Sequence, residues 1–197
     1  KALASAPPFL PGGLLNKLTV RAFNEAWYRK APKHREGELQ AIAPFFHPLD
    51  GVQDWNRIYG PAGFLQYQFA VPNGAAHLVS RTLEALRQVG APSFLTVLKR
   101  FGPGNPAPLS FPIPGWTLAA DVPAAVPGLL AVLETLDEEV AAAGGRLYLA
   151  KDSRQSTAMF RRTYTQWSSW NGIREQVEDR NVFASDLFKR IGVLPSE

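Results

Sequence analysis

The fold is decided by Phe94-Leu-Thr-Val-Leu-Lys-Arg-Phe101, the loop over residues 102–114, and Gly115-Trp-Thr-Leu-Ala-Ala-Asp121. Both flanking runs have the composition of β-strands. The loop between them contains five prolines and two glycines, which interrupt helices and strand pairing alike. We therefore predict a strand, a stiff connecting loop and a second strand.

Residue alternation gives these two strands an unusual face. Every second side chain shares a face, so Lys99 and Phe101 lie with Thr117, Ala119 and Asp121. A face that only covers a core would not combine two charges, a hydroxyl group and an aromatic ring. Two interpretations stay open: a ligand-binding face, or the solvated face of an antiparallel sheet on which Lys99 forms a salt bridge with Asp121.

The composition restricts the chemistry of the chain. Its 197 residues, 46% of them hydrophobic, suffice for one domain with a substantial core or for a domain with an appendage. The absence of cysteine excludes disulfides and thiol chemistry, and His34, His47 and His77 are widely spaced, so we predict no metal site. The chain begins with Lys1 and lacks a basic-then-apolar leader, so we expect a processed chain or a fragment.

The net charge of +4 is mild, but residues 29–35 are densely basic. Such a run meets phosphate groups or an anionic membrane surface, or it is a solvated loop, and both interpretations stay open. No run of about 18 apolar residues is present, so we predict no transmembrane helix.

Hydrophobic periodicity predicts the remaining elements. We predict helices over 14–30, 75–89, 127–143, 154–164, 167–178 and 184–191, and further strands over 38–46, 64–71 and 146–150. From residue 64 to 150 the order is β-α-β-β-α-β, the split-βαβ or ferredoxin-like arrangement. The predicted fold class is therefore α+β, an antiparallel sheet with helices on one face and short C-terminal helices at its edge.

The strand over 64–71 extends the polar face, because alternation places Gln66 and Gln68 opposite the apolar Leu65, Tyr67 and Phe69. Amide side chains on one face form a ready hydrogen-bonding site. The loop over 48–61 has no clear period and has glycine near both ends, so we predict a mobile covering loop.

Several motifs carry a resemblance that covers nearly the whole chain. They are Trp27-Tyr-Arg-Lys30, Phe46-His-Pro-Leu-Asp50, Asp54-Trp-Asn-Arg57, Tyr59-Gly-Pro61, Gly63-Phe-Leu-Gln-Tyr-Gln-Phe69, Phe101-Gly-Pro-Gly-Asn105, Ala107-Pro-Leu-Ser-Phe-Pro-Ile-Pro-Gly-Trp116, Gly145-Arg-Leu-Tyr148, Ala150-Lys-Asp-Ser-Arg154 and Val182-Phe-Ala-Ser-Asp186. With them the chain resembles the C-terminal half of the vanillyl-alcohol-oxidase type of FAD-linked oxidoreductases. More narrowly, it resembles the flavoprotein subunits of decaprenylphosphoryl-ribose 2′-epimerases.

The resemblance implies a division into domains and a reaction. Residues 1–36 would be an irregular segment with a helix, residues 37–197 the substrate-binding domain, and an FAD-binding domain would precede Lys1. The 2′-hydroxyl of a polyprenyl-phosphate-linked ribose would be oxidised with FAD as cofactor, and a short-chain reductase partner would complete the epimerisation for cell-wall arabinan. The implied location is the cytoplasm, with peripheral contact at the inner membrane.

The resemblance also implies which residues form the site. Those matching the family's pocket or covering loop are Gln66, Gln68, Lys99, Phe101, Asp121, Tyr148, Lys151, His47 and Arg57. Three pocket positions depart from the family pattern, with Phe46 for tyrosine, Thr117 for asparagine and Ala119 for the cysteine of mycobacterial members. These departures leave the sugar substrate open.

Three residues are candidates for catalysis. Lys151 would stabilise the negative charge of a reduced flavin. Lys99 would bind a substrate hydroxyl or phosphate, or act as a base if burial lowered its pKa. His47 is a candidate proton acceptor.

Two other functions stay open. The first is the oxidation of another polyol or an aldonolactone by the same kind of enzyme. The second is a flavin-independent ferredoxin-like binding module. Because the polar face lacks the aromatic and basic signature of an RNA-recognition motif, we predict no nucleic-acid partner.

Overall fold

The computed structural model describes residues 4–7, 16–47, 51–178 and 182–193. Its strands are β1 (Ala4–Ser5), β2 (Val52–Gln53), β3 (Phe64–Pro72), β4 (Thr96–Phe101), β5 (Gly115–Pro123) and β6 (Arg146–Leu147). Its α-helices are α1 (Lys17–Lys30), α2 (Ile42–Phe46), α3 (His77–Val89), α4 (Leu129–Ala142), α5 (Thr157–Thr163), α6 (Trp167–Val177) and α7 (Asp186–Arg190). Short 3-10 helices span Trp55–Tyr59, Asn73–Ala75 and Leu149–Lys151.

The central sheet has the strand order β4-β5-β3-β6, and each neighbouring pair is antiparallel. From β3 to β6 the elements follow the order β-α-β-β-α-β, which confirms the predicted α+β class. The strands β1 and β2 form a separate parallel pair.

The helices α3 and α4 cover one face of the sheet. The core on this face contains Tyr67, Phe69 and Val71 of β3, Leu118, Ala120 and Val122 of β5, Leu78 and Leu86 of α3, and Leu129, Leu133, Leu136 and Val140 of α4. These strand residues alternate along β3 and β5 with the polar residues, which lie on the other face. The predicted division of the two faces is therefore confirmed. Among the described residues no helix covers the polar face, which is called the open face below.

The C-terminal helices pack at the β6 edge, as predicted. A second small core contains Phe160 of α5, Tyr164 just after α5, and Ile191 just after α7. The Tyr164 hydroxyl donates a 2.6 Å hydrogen bond to the carbonyl of Leu147 in β6. This bond fixes the helical segment to the edge strand.

The predicted strand over 38–46 is wrong. Residues 37–41 have no regular structure, and α2 follows as a five-residue helix. Pro44 is compatible with this helix because it occupies the first turn, where a backbone N–H has no intrahelical partner. The predicted strand over 146–150 is also too long, since it ends at Leu147 and continues as a 3-10 helix from Leu149.

The helix predicted over 14–30 is found as α1, but its apolar residues do not face a core. Leu18 is 79% exposed and Trp27 is 64% exposed, while Leu14 and Leu15 lie outside the described residues. The Phe23 ring contacts the sheet region through Phe94, with the ring centroids 5.8 Å apart. Helical periodicity therefore predicted this helix correctly.

Membrane crossing was also predicted to be absent. In the part of the chain that the structure describes, no helix is both long and apolar enough to span a bilayer.

Candidate functional site

Two amide side chains on the open face donate hydrogen bonds to the neighbouring strand. Gln66 lies directly opposite Asp121 in the β3–β5 register, and its Nε2 donates to Asp121 Oδ1 at 2.5 Å. Gln68 Nε2 donates to Thr117 Oγ1 at 3.3 Å. A carboxylate accepts only from the nitrogen end of an amide, so Gln66 directs its own oxygen away from Asp121. The face therefore presents hydrogen-bond acceptors to whatever approaches it.

Asp121 is buried although it lies on the open face. It is only 1% exposed, and its second oxygen, Oδ2, has no hydrogen-bond partner in the described residues. Burial raises the pKa of this carboxyl, while the hydrogen bond from Gln66 and the positive charge of Lys151 partly offset the increase. A buried carboxylate with an unpaired oxygen destabilises a fold, which is typical of residues that are kept for function.

An aromatic cluster borders the polar residues. The rings of Phe101 and Phe111 meet edge to face with centroids 5.8 Å apart, and the centroids of Phe111 and Tyr148 are 4.4 Å apart. Phe111 belongs to the proline-rich loop and is buried. It was not among the predicted site residues, although it lies within the most specific motif, because strand alternation does not extend to an irregular loop.

Lys151 lies at the end of the 3-10 helix that follows Tyr148, and it is exposed. The next residue, Asp152, accepts hydrogen bonds from the backbone N–H groups of Arg154 and Gln155 and forms a 2.8 Å ion pair with Arg190 of α7. These contacts hold the turn in place. Lys151 is thus presented at the β6 edge, close enough for its charge to lower the pKa of Asp121.

Lys99 lies on the open face as predicted, but it is exposed and pairs with Thr117 in the β4–β5 register. Asp121 is four residues further along β5, a separation of about 13 Å, so the proposed Lys99–Asp121 salt bridge is wrong. Lys99 also lacks the burial on which its predicted role as a base depended. Ala119 lies between Gln68 and Val97 in the register, at the centre of the face.

The pocket candidate Phe46 and the covering-loop candidates His47 and Arg57 are not brought to the sheet residues. Phe46 is exposed and contacts Phe45, and His47 ends α2 with no described side-chain contact to the open face. Arg57 binds the carbonyl of Ala6 at 3.1 Å and Asp54 at 3.2 Å, so it holds the N-terminal strand. Their role in a site stays a prediction. Residues 48–50 of the predicted loop lie outside the described residues.

Tyr59 is a site residue that was not predicted from the sequence. It ends the 3-10 helix over Trp55–Tyr59, is 7% exposed, and stacks on Phe64 with ring centroids 4.6 Å apart. Burial and the charge of Asp121 raise its pKa, and the backbone of Phe94 opposes this. Strand alternation does not predict this contact, because Tyr59 reaches the sheet from a 3-10 helix outside it.

In the described residues, no group of three or more acidic or histidine side chains is placed to bind a metal ion.

The raised pKa of Asp121 makes a prediction for stability. The folded protein binds this proton more tightly than the unfolded chain, so stability should fall as pH rises from about 3.9 through the raised pKa. Asp121→Asn removes this dependence. We therefore expect the unfolding free energy of Asp121→Asn minus that of wild type to increase from acid to neutral pH. Urea denaturation at several pH values measures this difference. A difference that decreased with pH would show that Asp121 is stabilised as a carboxylate.

No family model matches the chain. The chain is 45% identical over 192 residues, 98% of its length, to decaprenylphosphoryl-β-D-ribose oxidase of Mycolicibacterium smegmatis, of which it covers 41%. It is 36% identical over 197 residues to a Streptomyces coelicolor protein described as an uncharacterized protein in the mprA 5′ region, of which it covers 53%. The first similarity confirms the resemblance seen in the motifs, and the chain spans about half the length of these relatives.

Proposed function

We propose that this chain is the substrate-binding part of an FAD-dependent oxidoreductase that oxidises a secondary alcohol of a sugar. The proposed substrate is a polyprenyl-phosphate-linked ribose, oxidised at its 2′-hydroxyl. The observation that carries the proposal is the open face, on which Gln66, Gln68, Thr117 and Asp121 lie together between the aromatic cluster and Lys151. The 45% identity to an oxidase named for such a substrate supports it.

The chemistry of the face suits a sugar. Amide oxygens of Gln66 and Gln68 accept hydrogen bonds from hydroxyl groups without introducing charge. The half-buried rings of Phe101 and Tyr148 offer an apolar surface for the carbon face of a sugar or for a flat ring. The exposed Lys99 is available to a substrate hydroxyl or phosphate at the outer strand.

The residues at the β6 edge fit a flavin. Tyr148 would pack against its ring system, and Lys151, exposed and held by the turn at Asp152, would place a positive charge beside it. When bound, FAD supplies the hydride acceptor that an alcohol oxidation needs. The FAD-binding domain itself is proposed to lie outside this chain, consistent with coverage of only 41% of the oxidase.

Three further partners belong to the proposal. They are the lipid-linked sugar substrate, a short-chain reductase that acts on the ketone product, and a membrane surface. The exposed aromatic and basic residues of α1 suit contact with a membrane surface. Cell-wall arabinan precursor synthesis would then be the process served.

The proposal is tested with full-length protein that carries this chain and FAD, mixed with polyprenyl-phosphoryl ribose. We expect the flavin absorbance to bleach in a single turnover. Lys151→Met should slow bleaching at least tenfold, about 1.4 kcal/mol, because it removes a charge needed mainly when the flavin is reduced. Arg87→Met, which removes an exposed positive charge from α3 on the opposite side of the sheet, is the control and should bleach normally.

Two results would count against the proposal. Wild-type protein that holds FAD but shows no bleaching with this substrate would refute the substrate assignment. Equal rates for Lys151→Met and wild type would remove Lys151 from the mechanism.

A further inference from the structure

A cavity of about 210 Å³ lies between the proline-rich loop and the turn that joins α5 to α6. Pro108 and Pro112 of the loop line it, while Phe111 between them packs against Tyr148 in the aromatic cluster. None of the residues proposed above to bind the sugar or the flavin lines this cavity. It is therefore separate from the site on the open face, and it is much larger than the roughly 30 Å³ that one water molecule occupies.

Arg146 of β6 gives this cavity a positive charge. Its Nη1 donates a 2.5 Å hydrogen bond to the carbonyl of Ser110, and its guanidinium lies 5.4 Å from the centre of the Tyr164 ring. Among the described residues Arg146 forms no ion pair, and its buried Nε has no hydrogen-bond acceptor. The charge of this half-buried arginine is therefore not compensated by a carboxylate from the described part of the chain.

The other polar side chains of the cavity are neutral, and one of them is oriented as a donor. Asn105 Oδ1 accepts the backbone N–H of Ala107 at 3.0 Å, so its oxygen is held by the turn and its Nδ2 is left to donate. Thr165 and Gln166 add an exposed hydroxyl and an exposed amide from the α5–α6 turn. No acidic residue is among the described residues that line the cavity. This excess of donors and positive charge favours an anionic ligand.

We propose that this cavity binds a phosphate group, with the charge supplied by Arg146 and hydrogen bonds supplied by Asn105 and Thr165. The donors of a guanidinium are arranged as a fork that matches the oxygens of a phosphate. The hydrogen bond to Ser110 already fixes the guanidinium, so little side-chain freedom is lost on binding. The site goes beyond the proposed function, since it needs neither a flavin nor the residues of the open face. The phosphate belongs either to a soluble phosphate ester or to a lipid headgroup.

Asn105→Asp is the most informative variant. The new carboxylate still accepts the N–H of Ala107, so the turn is kept, but it places a negative charge in the cavity. We expect this variant to bind phosphate at least tenfold more weakly than wild type, with little change in stability. Arg146→Met should weaken binding by a similar factor, although it also removes the hydrogen bond to Ser110.

Arg161→Met is the matched control. Arg161 of α5 also lies over an aromatic ring, with its guanidinium 4.5 Å from the centre of Trp167, and it forms no ion pair among the described residues. It does not line the cavity. We therefore expect Arg161→Met to bind phosphate like wild type.

The measurement is an NMR titration of the protein with sodium phosphate at constant pH and ionic strength. The Nε–H group of Arg146 is buried, so its exchange with water is slow enough for its resonance to be followed. We expect this resonance and the amide resonances of Thr165 and Gln166 to shift together and to saturate with a roughly millimolar constant. Sodium chloride at the same ionic strength should leave them in place.

Two further ligands identify the source of the phosphate. Saturable shifts with ribose 5-phosphate would indicate a soluble ester, and binding to phosphatidic acid vesicles that is lost in Asn105→Asp would indicate a lipid headgroup. Absence of saturable shifts with inorganic phosphate, or equal binding by Asn105→Asp and wild type, would overturn the site. Acetate that binds as tightly as phosphate would refute the assignment to phosphate. None of these results depends on flavin reduction, so they leave the test of the proposed function separate.

Discussion

Replacing Arg154 with methionine is expected to destabilise the fold by about 3–5 kcal/mol, because it leaves the carboxylate of Asp137 buried without its partner. Asp137 lies in α4 beneath the sheet and is almost fully buried. Arg154 binds it with two nitrogens, at 2.6 Å and 2.7 Å, and its guanidinium also lies 5.5 Å from the centre of the Tyr67 ring. Burial raises the pKa of the Asp137 carboxyl, and the bonds from Arg154 oppose that increase.

Urea denaturation at neutral pH measures this effect. The control is Arg162→Met, since Arg162 pairs with Glu138 of α4 but both side chains are exposed, and such pairs contribute about 1 kcal/mol or less. The double variant Asp137→Asn with Arg154→Met should recover part of the loss, because no unpaired charge is then buried. Similar stabilities for Arg154→Met and Arg162→Met would show that water reaches Asp137.

The position of this ion pair matters for the site. Arg154 follows Lys151 by three residues, and Asp152 between them is held by Arg190 of α7. The turn that presents Lys151 is therefore fixed from two sides, by α4 through Asp137 and by α7 through Asp152. We expect the loss of either contact to loosen Lys151 before it affects the strands.

The parts of the fold that were predictable from sequence are those set by local alternation. The polar and apolar faces of β3 and β5 follow from a period of two, which any chain in a strand must obey. Gln66, Gln68, Thr117, Ala119 and Asp121 were therefore placed correctly. The helices α3 and α4 were predicted for the same reason with a period of 3.6.

The contacts that were missed depend on how segments outside the sheet pack against it. Tyr59 and Phe111 reach the open face from loops, and the partner of Arg154 lies 17 residues away in another element. The exposure of α1 likewise depends on what packs against it, and periodicity reports only that one side is apolar.

Gly115→Ala is the second substitution with a large expected effect. Gly115 begins β5 and lies between Phe101 of β4 and Pro72 of β3, where the two neighbouring strands approach it closely. A Cβ atom there would lie 2.0 Å from the carbonyl oxygen of Val71 and 2.9 Å from Pro72 Cα. These are backbone atoms of a buried strand and cannot rotate away, so β5 must separate from β3.

We expect Gly115→Ala to lose at least about 3 kcal/mol of stability, the upper end of the cost of overpacking a core. Gly74→Ala is the matched control, because a Cβ added at Gly74 would meet no atom within 4 Å and its φ is not positive, and it should lose well under half as much. Thr117 is two residues into β5, so separation at Gly115 should also break the hydrogen bond from Gln68 and expose the nearby backbone amides. Urea denaturation and amide hydrogen exchange measure the two effects. Equal stability of the two glycine variants, with Thr117 still protected from exchange, would mean that the strands tolerate a wider spacing at this end of the sheet.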